Sequence, residues 1–577
     1  MERGSDILLS KKSGLNYQSW TDSYTPDTVN LLIIGVVWIV MAALANPLGD
    51  FPLNDDWVYG LAVKSVLETG YYQFPSPSSA NVGPQVYWGA LFCLPFGFSF
   101  TALRFSSLAL GLIGVLALYG LIRALGGKPQ IALLGALTLS VNPLYFGLAH
   151  SFMTDVPFVS LVMLALFFLV RGFQRDSRFY LAIGLVFAFA AILVRQLGLI
   201  VLLAFAFAYP IKNGFRFANI AKVVALVIAG ALLHIAYQYW LVNTGRTPLL
   251  SVHSDIHTLR LPSLSIVSKQ LIVTFIYVGF FVLPFVAAFS LSPPKGITYE
   301  RLKNIWIGVF ALAISILGVL WWKAGVMPLG ENILVDPGLG PLTLRDTYNL
   351  QLNFPTIPPS VAIFWRGITV LSALAACAAL YYVGIASHQA YIGFKQSRSS
   401  TWQYLLLAVT GTAYLTILLA VSGRFTLFDR YLLLFLPIVV LIIAGVKFEK
   451  QPQVRATKVV FSISLLILYA GFSVAATHDY LAWNRTRWIA LHDLMDKQKV
   501  QPNQIDGGYE FNGWFLYDAK YKKDPKKSWW WVDDDEYAIT SGPLPGYSEM
   551  QRYPFGRWLL LQSEFNIYVL RKNPKNE

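Results

Sequence analysis

Acidic side chains are scarce over most of this chain, which makes their positions informative. The first 477 residues hold 17 of them, and none falls in the middle of an apolar run. Two places stand out. Asp55 and Asp56 lie in Asn54-Asp55-Asp56-Trp57, just after the first apolar run. Asp155 lies in His150-Ser151-Phe152-Met153-Thr154-Asp155-Val156-Pro157, at the start of the fourth. A carboxylate so placed can take a proton from an attacking hydroxyl or hold a substrate in line. Each place sits beside a helix end, and the topology derived below puts both on one face of a membrane, where they can share a cavity at the water–lipid boundary. Neighbouring helical residues point about 100° apart, so only one of Asp55 and Asp56 need face that cavity, and Asp55 is favoured. A plainer use exists for all three. Asp55 and Asp56 can complement the positive end of a surface helix, and Asp155 can do the same with Thr154 as cap and Pro157 in the first turn. The pairing on one face is what favours chemistry.

Cations gather near the same face. Ser422-Gly423-Arg424-Phe425-Thr426-Leu427-Phe428-Asp429-Arg430-Tyr431 brings two guanidiniums to the outer end of an apolar run. Arginine forks match phosphate oxygens, so Arg424 and Arg430, with Arg195 and Lys64, are candidate phosphate ligands. The plain alternative is an Asp429–Arg430 ion pair. Tyr87, Trp88, His150 and Tyr431 are candidate substrate contacts. Trp529-Trp530-Trp531-Val532-Asp533-Asp534-Asp535-Glu536 reads more simply as a solvated acidic turn beside buried aromatics than as a sugar or cation site. His253 and His257 lack an evident third ligand. With two cysteines, no Walker loop, no dinucleotide glycine pattern and no HExxH, no metal ligands are assigned. No cofactor is firmly implied, and a divalent metal remains an open alternative.

The elements that must hold these groups are membrane helices. Of the 577 residues 55% are hydrophobic and only 13% charged, against about 25% charged in soluble domains; this excludes an ordinary water-soluble enzyme. A helix crossing a hydrocarbon core of about 30 Å needs roughly 20 apolar residues. The expectation is an all-α polytopic membrane protein of about thirteen transmembrane helices, near 29–46, 104–123, 130–147, 155–172, 178–194, 196–211, 219–241, 267–291, 302–321, 361–385, 402–421, 430–446 and 458–476. Placing the polar segment 1–28 in the cytoplasm puts 20 of the 31 basic residues before His478 on the inner side, as the positive-inside rule requires. The chain then runs N-in, C-out, and the first apolar run acts as a retained anchor. The net charge of +14 lies wholly before His478, because the tail holds 14 acids and 14 bases. A membrane surface, not nucleic acid, accounts for it.

Three parts follow: a cytoplasmic segment 1–28, a transmembrane domain 29–477, and an extracytoplasmic domain 478–577. The first outer loop, 47–103, reads as two amphipathic pieces. Asn54-Asp55-Asp56 opens a helix with Val58, Leu61, Ala62 and Val66 on one face, and Gly70 stops it. The tail mixes signals: 487–497 looks helical, 538–540 and 566–570 look like strands, and turns lie at 541–546. About 100 residues suffice for a small α/β domain.

The acid in Asn54-Asp55-Asp56-Trp57, the segment Pro84-Gln85-Val86-Tyr87-Trp88, Ala102-Leu103-Arg104-Phe105, Met153-Thr154-Asp155-Val156-Pro157 and Asp429-Arg430-Tyr431-Leu432-Leu433-Leu434 together resemble the polytopic C-superfamily glycosyltransferases. They are most similar to the bacterial members related to protein O-mannosyltransferases and to the aminoarabinose transferases of lipid A. Close matches cover about a quarter of the chain, and the layout fits loosely throughout. One departure matters. Many members carry a Lys-Pro-Pro-Leu-type segment before the Tyr-Trp, whereas this chain has Gly83-Pro84-Gln85-Val86. A lysine assigned to donor phosphate in relatives is therefore missing, and Arg424 or Arg430 is the expected substitute.

The resemblance implies transfer of a sugar from a polyprenyl-phosphate carrier to a glycan, lipid or protein acceptor on the extracytoplasmic face, with inversion, in a bacterial inner membrane. The partners are then the lipid-linked donor, the acceptor and membrane lipids, with no nucleic acid. Asp55 or Asp56 would act as base or orienter, Asp155 would position a substrate, and basic groups would meet the departing phosphate. Two rivals are a secondary transporter of a lipid-linked or small polar substrate and a non-catalytic scaffold. A transporter should place polar or broken segments near mid-membrane, and this chain instead loads its outer loops.

Overall fold

Long apolar runs in lipid leave the backbone no hydrogen-bond partner but itself, and this chain answers with helices. A computed structural model describes residues 25–74, 80–247, 262–289, 303–304, 307–311, 314–316, 318, 325–330, 332–350, 362–397, 401–422, 427–446, 456–522, 530–559 and 565–574. In chain order the helices are α1 (Pro26–Ala45), α2 (Asp56–Thr69), α3 (Gly83–Cys93), α4 (Phe100–Ala124), α5 (Pro129–Ser140), α6 (Pro143–Ala149), α7 (Asp155–Gln174), α8 (Arg178–Val194), α9 (Leu199–Asn213), α10 (Phe217–Asn243), α11 (Leu264–Ala287), α12 (Ala362–Gln396), α13 (Trp402–Val421), α14 (Phe435–Ala444), α15 (Ala456–His492) and α16 (Tyr509–Leu516).

Among the described residues nine helices are long and apolar enough to cross a membrane, or ten if α5 and α6, bent by 63°, form one broken span. Thirteen spans are expected from the sequence, and the differences have local causes. Asn142 caps α6 with Pro143 in its first turn, which breaks the run 130–147. The run 178–194 forms the 17-residue α8, ended where Arg195 turns extended. The run 430–446 becomes a 3-10 turn, Asp429–Leu432, followed by the ten-residue α14. Of the run 302–321, residues 303–304, 307–311, 314–316 and 318 are helical, and the rest lies outside the described residues. Within the bundle α7 is central, 78% of its apolar window being buried, while α10, at 11%, lies at the periphery. The start of α7, where Asp155 sits, is therefore an interior position.

The segment between α1 and α4 contains the helix expected after Asn54, ended by Gly70 in the left-handed region (φ 71°). Trp57, Val58, Tyr59, Ala62 and Val63 are buried, and Trp57 meets Tyr509 and Tyr517 edge-on or tilted at 6.0 and 5.6 Å. Phe51 and Leu53, just before it, enter the core of the C-terminal region beside Trp488, Leu491 and Phe511.

A short antiparallel hairpin, β1 (Leu334–Val335) and β2 (Gly338–Leu339), precedes the C-terminal sheet. That sheet has the order β3-β4-β6-β5, from β3 (Ile505–Asp506), β4 (Tyr537–Thr540), β5 (Tyr547–Phe555) and β6 (Phe565–Lys572). β3 and β4 are parallel, and the other pairs antiparallel. The expected strands 538–540 and 566–570 fall in β4 and β6, whose Ile539, Ile567 and Val569 are buried. β5 carries no such pattern, because it is an edge strand with Ser548, Glu549, Gln551 and Arg552 around a bulge. The helix expected at 487–497 is the end of α15 and the π turn after it. α15 crosses residue 478 without a break, so the last span and the tail share one rigid rod.

Candidate active site

Four of the sequence motifs meet at the turn 150–154. Arg104, from Ala-Leu-Arg-Phe on α4, is 1% exposed. It donates to the carbonyls of His150 (2.8 Å), Pro47 (2.6 Å), Gly49 (2.9 Å) and Phe51 (3.0 Å). Gln85 Nε2 donates to Phe152 O at 2.6 Å. Asp56 accepts the Phe152 N–H on Oδ1 (2.8 Å) and the Leu53 N–H on Oδ2 (3.2 Å). These buried bonds pin the segment before and at the start of α2 against the loop before α7, and they explain why the motifs carry Arg, Gln and Asp in those places.

Asp56 is thereby committed to the backbone. It is 3% exposed, and burial pushes its carboxyl up to about 8 against the pull of the two N–H donors. Asp55 behaves differently. It occupies the N-cap of α2, beside the helix's positive end as the plain reading has it, but its side chain makes no capping bond. Oδ1 accepts from the Tyr509 phenol at 2.9 Å, Oδ2 lies 3.7 Å from Arg430, and the side chain is 27% exposed. Of the two acids, Asp55 is the more accessible.

Asp155 opens α7 with a side chain 2% exposed, and its Oδ1 lies 2.5 Å from Arg195 Nη1; Oδ2 has no hydrogen-bond partner among the described residues. Arg195 sits over Tyr431 at 4.9 Å and Arg430 over the same ring at 5.4 Å. Tyr431 thus joins two acid–base pairs, Asp155–Arg195 and Asp55–Arg430. Arg430 Nε is buried and unpaired among the described residues. The Asp429–Arg430 ion pair weighed from sequence does not form. Asp429 instead receives the N–H groups of Ile333 (3.2 Å), Leu334 (2.7 Å) and Arg430 (2.7 Å), which fixes the turn that presents Arg430.

Other candidates lie apart. Lys64, two and a half turns along α2, pairs with Glu68 at 3.9 Å and lies over Trp514 at 5.5 Å. Tyr87 is 54% exposed and stacks on Tyr72 at 6.0 Å; Trp88 donates to Ser106 O at 2.9 Å. His150 is fully buried, with Nδ1 against Phe146 O at 2.8 Å. It lines a cavity of about 30 Å³ with Asn54, Thr477 and Tyr480, room for about one water. Arg424, His253, His257 and Trp529 lie outside the described residues. Trp530 is 2% exposed, in keeping with the buried aromatic reading of that stretch. Among the described residues no group of three or more His, Cys, Asp or Glu could hold a metal. An apolar groove between α1, α5, α11 and α15 has no titratable lining.

Sequence reasoning missed Tyr59, Tyr509 and Glu510. Tyr59, 7% exposed, lies one turn after Asp55, and the charges of Asp55, Asp155, Arg195 and Arg430 all bear on it; its i+4 spacing was a usable signal. Tyr509 and Glu510 come from the far end of the chain, and no local pattern joins them to Asn54-Asp55.

Residues 82–240, which include Gln85, Arg104, Asp155 and Arg195, match the family model of dolichyl-phosphate-mannose-protein mannosyltransferases. No curated protein matches the chain. Among solved structures it is similar to ArnT from Cupriavidus metallidurans bound to undecaprenyl phosphate, at 12% identity and TM-score 0.39 over 95% of this chain and 99% of that one. It is also similar to the protein O-mannosyltransferase Pmt1–Pmt2 complex of S. cerevisiae bound to the sugar donor, at 16% identity and TM-score 0.30 over 37% of this chain. In that comparison it spans about a third, 34%, of the yeast chain's length. The arabinosyltransferase EmbB of Mycobacterium smegmatis is similar at 12% identity and TM-score 0.28, over 77% of this chain and 42% of that one.

Proposed function

We propose that this relative of the C-superfamily glycosyltransferases moves a sugar from a polyprenyl-phosphate carrier to an acceptor on the extracytoplasmic side of a bacterial inner membrane. The N-terminal segment 1–28 is cytoplasmic, 29–477 forms the membrane domain and 478–577 the outer domain. The observation that carries this reading is the double pairing Asp55–Arg430 and Asp155–Arg195 around Tyr431. A reaction that breaks a bond to phosphate while deprotonating a hydroxyl needs both signs of charge within reach of one substrate.

The donor's isoprenoid tail stays in lipid and its headgroup rises to the cluster. Asp55 takes the proton as the acceptor oxygen bonds to the anomeric carbon. The carbon–oxygen bond to phosphate breaks on the opposite face, its electron pair leaves with the polyprenyl phosphate, and the sugar inverts. Arg430 meets that departing charge, aided by Arg195. Asp155 orients Arg195, and Asp56 and Arg104 hold the loop. Where the acceptor is itself a phosphate, no base is needed and Asp55 positions it. Tyr87 and Trp88 lie where the acceptor or lipid passes.

The test uses purified protein in lipid nanodiscs with polyprenyl-phosphate sugars and extracted envelope glycolipids, followed by mass spectrometry. Glycosylated acceptor with stoichiometric free polyprenyl phosphate supports the reading. In vesicles, movement of intact donor across the bilayer with no bond broken would replace it with transport.

A further inference from the structure

Loop one is held from two sides, and the second side is the C-terminal region. α16 begins at Tyr509 after Gly508, whose φ of 86° suits glycine; a Cβ there would stand 2.5 Å from Thr343 O. The chain can therefore turn tightly into the helix, and the Tyr509 N–H donates to Thr343 O at 3.0 Å. The next two side chains reach two successive residues of loop one. The Tyr509 phenol donates to Asp55 Oδ1 at 2.9 Å. Glu510 Oε1 accepts the Asn54 N–H at 3.0 Å, while Oε2 accepts from Thr343 (2.6 Å) and Arg487 (2.8 Å). Arg487 and Glu510 are both fully buried, so this end of the clamp is anchored. The Tyr509 ring is walled by Trp57, Trp530 and Trp531 at 6.0, 5.5 and 6.0 Å.

We propose that Tyr509 is a positioning residue for Asp55, so that the C-terminal region completes the catalytic site. The proposal rests on the glycosyl-transfer reading above. A carboxylate with one oxygen bonded to a fixed phenol cannot rotate freely about Cβ–Cγ. Oδ2 is then held toward Arg430 and toward the space an acceptor hydroxyl would enter. Burial pushes the phenol pKa up, so the group donates at any working pH. Without the phenol, Asp55 is free to close on Arg430, which would take both the base and the phosphate ligand out of line.

The test is steady-state transfer by full-length Tyr509→Phe and Tyr509→Leu in nanodiscs, with Asp55→Asn alongside and thermal midpoints for all. Phe keeps the ring packing and removes only the hydroxyl. The expected result is a kcat lowered roughly 10- to 100-fold in both Tyr509 variants, since small misplacements cost that much, with donor KM within about twofold of wild type and the Phe midpoint unchanged. A Phe variant with wild-type kcat, beside an Asp55→Asn variant that is inactive, overturns this proposal and leaves the parent reading standing. Asp55→Asn that transfers at the wild-type rate overturns both.

Discussion

The carboxylate of Asp55 and the guanidinium of Arg430 stand 3.7 Å apart, although most of the chain separates them in sequence. Neither is taken up by the partner nearest to it in the chain. Asp55 declines the capping bond its position offers, and Arg430 leaves the adjacent Asp429 to the backbone of β1. Arg430 is 9% exposed and Asp55 27%, and a pair taken this far out of water recovers little beyond its desolvation cost, so we read the arrangement as serving the proposed chemistry on phosphate.

Arg430→Lys keeps the charge and loses the fork. Its donor KM should rise about tenfold, because an ammonium cannot replace bidentate contact with phosphate. Arg430→Met, which also removes the charge that meets the leaving group, should lower kcat roughly 100-fold. Titrating donor at fixed acceptor separates the two effects.

Asp56 and Asp55 should differ in kind. Asp56→Ala leaves the buried N–H groups of Phe152 and Leu53 unmet, at about 1–3 kcal/mol each. The thermal midpoint should fall, while turnover per folded molecule changes little. A mutant with an unchanged midpoint and no turnover would move the catalytic role to Asp56.

The pair Asp155–Arg195 predicts strong coupling. Removing one partner strands a largely buried charge, so Asp155→Asn and Arg195→Gln should each destabilise more than half as much as the double variant. The double-mutant cycle should give a coupling of about 1–3 kcal/mol, measured by denaturant unfolding in micelles.

How far all this can be seen in the sequence depends on distance along the chain. The nearness of Asp55 and Arg430, the interior start of α7 at Asp155 and the two apolar strands were legible because the residues of each belong to local patterns. The count of spans was not, since Asn142-Pro143 breaks the run 130–147 and the runs 178–194 and 430–446 give helices of only 17 and ten residues. Lys64 looked like a phosphate ligand by charge and face, yet Glu68 and Trp514 claim it. Tyr509 and Glu510 carried no signal because what they touch is set by how α15 and α16 fold back over loop one.

The C-terminal region should show an acid limb in its stability. Burial opposes the charge on Asp535, but bonds from Lys572 (2.5 Å) and Arg345 (2.8 Å) outweigh it and hold the carboxyl down to about 2. A folded value below the unfolded one means stability that is fully present above about pH 4 and lost as pH falls toward 2. The gap in thermal midpoint between wild type and Asp535→Asn should thus be widest near pH 6 and narrow steadily below pH 4, by scanning fluorimetry.

The most direct measurement is single-turnover transfer from a polyprenyl-phosphate sugar by Asp55→Asn, with donor affinity determined on the same sample. Loss of one proton-accepting oxygen should slow the chemical step by at least about 100-fold while the donor still binds, because Arg430 and Arg195 remain. Transfer at the wild-type rate with donor bound would contradict the account.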